Sequence, residues 1–336
     1  MAVIHPQWDS LFQAWAGLYG FQGAVLYAER GRVVHTGGYG LADQRTGAPV
    51  TRHTRFQLAS VSKPLTAALI LSLCASGHLA LDTPVVRYIP EFPYPALSVR
   101  HLLQHRSGLW RYPAVAEAAP APAPRLSQQE VLRLFCEARP EPWYPAGAKF
   151  EYCNTNYVLL AALAERVTGI DFASLMEQRV FGPAGMQGAG LCSYPERQHA
   201  GQVAEGYVRR RKGLIPAEGD WLDDAFGDKG VYAAPLDLYR FTQALEAGLL
   251  LPPALAQAMH ARDSVAQASG YGLGWRLRDG YPHQPYHFGW WRGYRTCLIR
   301  DLAGDRVLII LSNVDDDLLP GMYWEAFDWS ESCVIR

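Results

Sequence analysis

Strand-like segments gather at the two ends of this 336-residue chain, while helical ones fill its middle. Residues 23–28 and 32–35 read as a hairpin, joined at Glu29-Arg30-Gly31 with glycine in the turn. Residues 271–278, 286–290, 294–300 and 306–311 carry the same apolar, aromatic and β-branched character. Between these ends, helical spacing of apolar residues runs over 60–76, 127–138, 155–167, 171–181 and 235–247, with shorter pieces at 99–105 and 252–259. A stripe of Trp8, Leu11, Phe12, Trp15 and Leu18 marks an amphipathic helix over 7–19, and 322–329 reads as a closing helix. Strands at both termini pair most simply in one antiparallel sheet, so the expected class is α+β, with helices flanking that sheet. Residues 1–85 and 270–336 would form the sheet domain, and 86–269 a mainly helical insertion with a cleft between the two. The alanine- and proline-rich run 114–124 is expected to be a surface excursion without a packed element.

Composition narrows the function classes. A net charge of -1 gives no bias toward nucleic acid or an anionic membrane, so neither is expected as a partner. The basic run 209–212 reads as a solvated loop or hairpin tip. No stretch of about eighteen apolar residues occurs, which argues against a membrane span. Residues 1–9 do not read as an export signal. The six cysteines are scattered and read as reduced, mostly buried thiols, in keeping with a cytoplasmic protein. His101 and His105 stand one helical turn apart, but Leu102 occupies the place of the glutamate in a metal-binding H-E-x-x-H, so they read as structural histidines. Neither metal nor cofactor is expected.

Chemistry enters at Ala59-Ser60-Val61-Ser62-Lys63-Pro64, where an apolar helix begins. Residues three apart lie on one helix face, which brings the Lys63 ammonium within reach of the Ser60 hydroxyl. A serine hydroxyl needs a neighbouring base to attack a carbonyl, and a desolvated lysine can be one. The same residues also read as a capping serine followed by a solvent-facing lysine. Lysine is scarce, however, with four in the chain. Taken singly, Tyr152 also reads as a buried tyrosine, Asn154 as a helix N-cap and His287 as an edge-strand histidine.

Ser60-Val61-Ser62-Lys63, Tyr152-Cys153-Asn154 and His287-Phe288-Gly289 fall in the order and spacing of three known motifs. The chain resembles the serine β-lactamase and penicillin-binding protein superfamily, in its class C β-lactamase-like branch with D,D-peptidases, D-amino-acid amidases and family VIII esterases. Residues 101–109, Tyr144-Pro145-Ala146-Gly147 and Gly230-Val231-Tyr232 extend the likeness, which covers about residues 23–313. The resemblance implies a β-lactamase/transpeptidase-like fold and a serine hydrolase working through an acyl-serine on a small ester or amide. It implies Ser60 as nucleophile, Lys63 and Tyr152 sharing the proton, and Asn154 orienting Lys63 and binding substrate. His287 and Gly289 would flank the substrate, and the backbone N–H groups of Ser60 and Trp290 would form the oxyanion hole. The third motif is usually Lys-Thr-Gly; His287-Phe288 lacks the threonine hydroxyl and the permanent charge, which disfavours β-lactam turnover. Phe288, Trp290, Trp291 and Tyr294 are expected to make an aromatic wall facing Ser60. Esterase or peptidase/amidase activity is thus expected ahead of β-lactamase or D,D-carboxypeptidase activity; acyl transfer and non-catalytic binding of acyl ligands are the alternatives.

Overall fold

The computed structural model describes residues 3–120, 124–191, 193, 202–262 and 270–332. The N-terminal helix α1 (Pro6–Tyr19) leads into β1 (Gly23–Glu29) and β2 (Arg32–Tyr39). After α2 (Ser62–Ala75), α3 (Tyr112–Glu117), α4 (Gln128–Ala138), α5 (Thr155–Thr168) and α6 (Pro235–Glu246), the chain returns through β3 (Arg276–Leu277), β4 (Pro285–Trp291), β5 (Tyr294–Asp301) and β6 (Arg306–Ser312) to α7 (Leu319–Ser332). These strands form one six-stranded sheet in the order β3-β4-β5-β6-β1-β2, antiparallel throughout. The two chain ends meet at its centre, where β1 pairs with β6 from Gly23↔Ser312 to Glu29↔Arg306.

Each face of the sheet has its own core. Val25, Tyr27, Ile299, Leu308 and Ile310 pack under α1 and α7 with Trp8, Phe12, Tyr323 and Phe327. Ala24, Leu26, Leu298, Ile309 and Leu311 belong to the larger core on the other face, with α2, α5 and α6. Alternation along a strand produces this division, since successive side chains point to opposite faces. Helix α2 is buried from Ser62 to Leu73, which explains why its sequence has no polar stripe. Burying each of its leucines contributes about 1.5–3 kcal/mol, so the helix that begins beside Ser60 is anchored along its length.

Some expectations change. Residues 114–124 were expected to hold no packed element, yet α3 runs through Glu117 and buries Tyr112, Val115 and Ala116. Pro113 in its first turn and the small alanines permit a helical turn against α4; residues 121–123 lie outside the described residues. The strand expected over 271–278 shrinks to Arg276–Leu277, because Gly274 at φ 90° sits 2.5 Å from the Ala67 methyl when given a Cβ. The basic run does form a hairpin, Tyr207–Arg210 with Gly213–Pro216. Cys74, Cys136, Cys153 and Cys297 are free thiols, and Cys192 and Cys333 lie outside the described residues. Among the described residues, no helix is long and apolar enough to cross a membrane.

Candidate active site

Ser60 sits in a 3-10 turn, Ala59–Val61, immediately before α2. Ala59 has φ 48°, a left-handed conformation that costs a non-glycine residue roughly 1–2 kcal/mol. Neighbours hold it there: Leu58 N–H donates to Val231 O at 2.8 Å, and Thr296 Oγ1 donates to Leu58 O at 2.6 Å. Lys63, in the first turn of α2, is fully buried. Its Nζ donates to Ser60 Oγ at 3.0 Å and to Asp228 O at 2.9 Å. The spacing expected from the sequence is therefore realised as a direct hydrogen bond.

The loop that carries Asp228 straps the start of α2. Thr66 Oγ1 donates to Gly227 O at 2.8 Å, and Val231 N–H donates to Ser62 Oγ at 3.3 Å. Lys229 braces this loop from behind, with Nζ 3.0 Å from Tyr112 Oη and 3.5 Å from Asp228 Oδ1. Burial opposes the Lys229 charge, but Asp228 and Tyr112 outweigh it and raise its pKa above the ordinary lysine value. The sequence suggested Asn154 as the group orienting Lys63; the Asp228 carbonyl fills that place instead. A backbone carbonyl leaves no signature in residue type, so the sequence marked this loop only through Gly230-Val231-Tyr232.

Tyr152 lies with its ring centroid 4.9 Å from Lys63 Nζ. The imidazole of His105 packs against that ring at 4.3 Å, and His105 Nδ1 accepts the Cys153 N–H at 3.2 Å. His105 is thus a brace for the tyrosine, held neutral because burial, with Lys63, His287 and Arg276 nearby, lowers its pKa well below the usual value. His101 closes a capping box with Ser98. Among the described residues, no cluster of three or more His, Cys, Asp and Glu is placed to hold a metal. Asn154 precedes α5 but makes no side-chain cap, and its Oδ1 is buried without a donor.

Strand β4 requires corrections. His287 is fully buried, with Nδ1 2.9 Å from Phe288 O and Nε2 3.1 Å from Tyr271 Oη. A carbonyl only accepts, so Nδ1 carries the proton and Nε2 accepts from tyrosine. Burial, then Arg276 and Lys63, push its pKa well below the usual value. With both nitrogens engaged, His287 is neither a cation nor a free donor for substrate. Gly289 does not open space for substrate either: a Cβ there would collide with Thr296 Oγ1 and Leu58 O, so the glycine admits the Ser60 turn against β4.

Phe288 and Trp290 do not face Ser60. Phe288 packs with Tyr286, Tyr323 and Trp324 on the α7 face, and Trp290 is 61% exposed, bonded to Asp315 at 2.8 Å. Alternation along the strand separates them from His287 and Gly289. The main chain of Trp290 is better placed than its side chain. The two-residue turn Arg292-Gly293, with φ 34° and 87°, closes β4 on β5 at Trp291↔Tyr294. The pair closing such a turn exchanges both backbone bonds, and bonded pairs then alternate. Trp291 and Gly289 bond to β5, and the Trp290 N–H points off the free edge, beyond where β3 ends its pairing at Tyr286.

Beside Tyr152 opens a recess of about 260 Å³, lined by Leu109, Trp110, Arg111, Trp143 and Cys153 among others. Trp110 and Trp143 stack at 4.3 Å on its rim.

Comparison with known proteins identifies the family. The family described as Beta-lactamase matches residues 8–328. Penicillin-binding protein 4* of Bacillus subtilis is 31% identical over 326 residues, covering 92% of this chain and 72% of its own length. Esterase EstB of Burkholderia gladioli is 33% identical over 293 residues, covering 75% and 73%. In fold, a penicillin-binding protein from Bacillus halodurans superposes with a TM-score of 0.82 at 23% identity, over 96% of this chain and 100% of that one. The match across nearly the whole chain places the protein in the beta-lactamase family.

Proposed function

We propose that Ser60 is acylated by a small ester or amide and then released by water, in the cleft between the sheet strands and the mainly helical part of the chain. The observation that carries this reading is the fully buried Lys63 Nζ, 3.0 Å from Ser60 Oγ. Ser60 Oγ attacks the carbonyl carbon as Lys63 and Tyr152 take up its proton. The N–H groups of Ser60 and Trp290 hold the oxyanion, and the alcohol or amine leaves with the proton returned to it. Water then attacks the acyl-serine by the same path in reverse, freeing the acid and regenerating the hydroxyl. Asn154, with its unpaired Oδ1, would take an N–H of the substrate.

Esterase or amidase activity is favoured over β-lactamase activity. The third motif offers neither a hydroxyl nor a charge, since His287 is neutral with both nitrogens occupied. The esterase named above and a D-aminopeptidase of Brucella anthropi, 31% identical over 283 residues, are relatives of that kind. The recess between Tyr152 and the Trp110-Trp143 stack would accept an apolar group of the substrate. A panel of p-nitrophenyl esters of graded chain length, D-amino-acid amides and a chromogenic cephalosporin tests this. Short esters should turn over, and the cephalosporin weakly or not at all; the reverse ranking would overturn the reading.

A further inference from the structure

Lys229 is buried where three parts of the chain meet. Its Nζ donates to Tyr112 Oη at 3.0 Å, at the start of α3, and to Ala225 O at 3.0 Å and Asp228 Oδ1 at 3.5 Å, in the loop that holds Lys63. An ammonium has three N–H donors, so this set uses all of them. Toward β4, Nζ lies 4.7 Å from the ring centroid of Trp291, a cation–π contact. That indole is fixed at its nitrogen as well: Nε1 donates to the buried Asp223 at 2.7 Å. Two of these contacts lead to the reacting groups. Asp228, whose carboxylate Lys229 bonds, offers its carbonyl to Lys63 Nζ at 2.9 Å. Trp291, whose ring it faces, follows Trp290, whose N–H is left free at the edge of β4.

Burying an ammonium and a carboxylate together carries a large desolvation cost, and such a pair is often replaced by apolar groups of like volume with no loss of stability. Stability is thus a weak reason for this pair. What it supplies is direction, because hydrogen bonds from separate segments converge on one nitrogen. We propose that Lys229 is a positioning residue for both halves of the chemistry. Through Asp228 it sets the carbonyl that holds Lys63, and through Trp291 it sets the strand end that presents the Trp290 N–H to the oxyanion. The proposal rests on the acyl-serine reading of the site and deepens it with a residue that lies behind the reacting groups. Tyr112 extends the same brace to the helical part, since its N–H donates at 2.8 Å to Thr155 Oγ1, beside Asn154.

The double variant Asp228→Asn with Lys229→Met tests it, because it removes both charges together, keeps side-chain volume and leaves the main-chain carbonyl at 228. On a short p-nitrophenyl ester, kcat should fall at least about thirtyfold, with KM within about threefold of the wild type. Phenylboronic acid forms a tetrahedral adduct on an active serine, and its inhibition constant should rise at least about tenfold. The Tm should stay within about 5 °C of the wild type. Tyr112→Phe removes one of the three bonds and keeps the ammonium, so both readouts should move in the same directions by about two- to fivefold. Added to the double variant, it should change kcat no further. A double variant whose kcat and boronic acid inhibition both stay within about threefold of the wild type overturns the proposal. So does a fall in kcat with the inhibition constant unmoved, the pattern of a smaller folded fraction. If the double variant does not fold, Tyr112→Phe decides by the same two readouts. Wild-type turnover that Ser60→Ala abolishes reports separately on the acyl-serine reading; its absence would remove that reading and this one with it.

Discussion

The Ser60 turn and strand β4 lie against each other, but they differ in how their side chains are placed. On the turn, geometry is local: Lys63 is three residues from Ser60, helical geometry puts both on one face, and a hydrogen bond of 3.0 Å results. On β4, placement depends on register with β5 and on what packs on each face. One face carries His287 and Gly289 toward the Ser60 turn, and the other carries Phe288 into the aromatic cluster under α7. Helical spacing can thus be read directly as proximity, whereas strand neighbours are separated by the whole thickness of the sheet.

Breaking the local pair should have the largest effect. Lys63→Met removes the ammonium bonded to Ser60 while keeping the volume, and kcat/KM on a short ester should drop at least about a thousandfold. Retention of more than about a tenth of the wild-type rate would mean that Tyr152 alone activates Ser60.

Acid should act next, through histidines on both sheet faces. Burial lowers the pKa of His35 to about 4 and that of His260 to about 3, and holds His105 and His287 well below the ordinary value. The unfolded chain binds a proton at each near pH 6.5, and the folded chain does not. Stability is therefore fully present above about pH 6.5 and falls as pH drops, by roughly 2 kcal/mol at pH 5 for each of His35 and His260, with His105 and His287 acting in the same direction. Thermal melts between pH 7.5 and 5 check this; a Tm that stays level across that range would show that these histidines are protonated in the folded state.

Gly289→Ala should be smaller in stability but specific in kind. Its methyl collides with Leu58 O and Thr296 Oγ1, costing about 1–3 kcal/mol and displacing the Ser60 turn. Stability and kcat should fall together; a loss confined to KM would restore the view that substrate, not the turn, fills this space.

Much of the fold was legible because it is written in periodicity. The hairpin at Gly31, the helices at 62–75 and 155–168, and the late run of strands need only local pattern. The site was legible as far as motifs reach: Ser60, Lys63 and Tyr152 come together. Their supports come from distant parts of the chain through groups that no motif marks. Asp228 acts through its carbonyl, and Tyr271 reaches His287 across the start of β3. Face assignment on β4 failed for the same reason, since alternation says which residues share a face but not which face meets the nucleophile.

The smallest effect should come from the face turned away from Ser60. Phe288→Leu loses part of the aromatic cluster with Tyr286, Tyr323 and Trp324 and should cost about 1 kcal/mol. The ranking of ester chain lengths should stay as in the wild type; a reordered ranking would return Phe288 to the substrate wall.

The central claim, that Ser60 becomes the acylated residue, is tested most directly by intact-mass analysis after exposure to a fluorophosphonate probe, followed by peptide mapping. The account predicts a single adduct on the wild type, mapped to Ser60, and none on Ser60→Ala. An adduct of equal yield on Ser60→Ala, or no adduct on an active wild type, would contradict it.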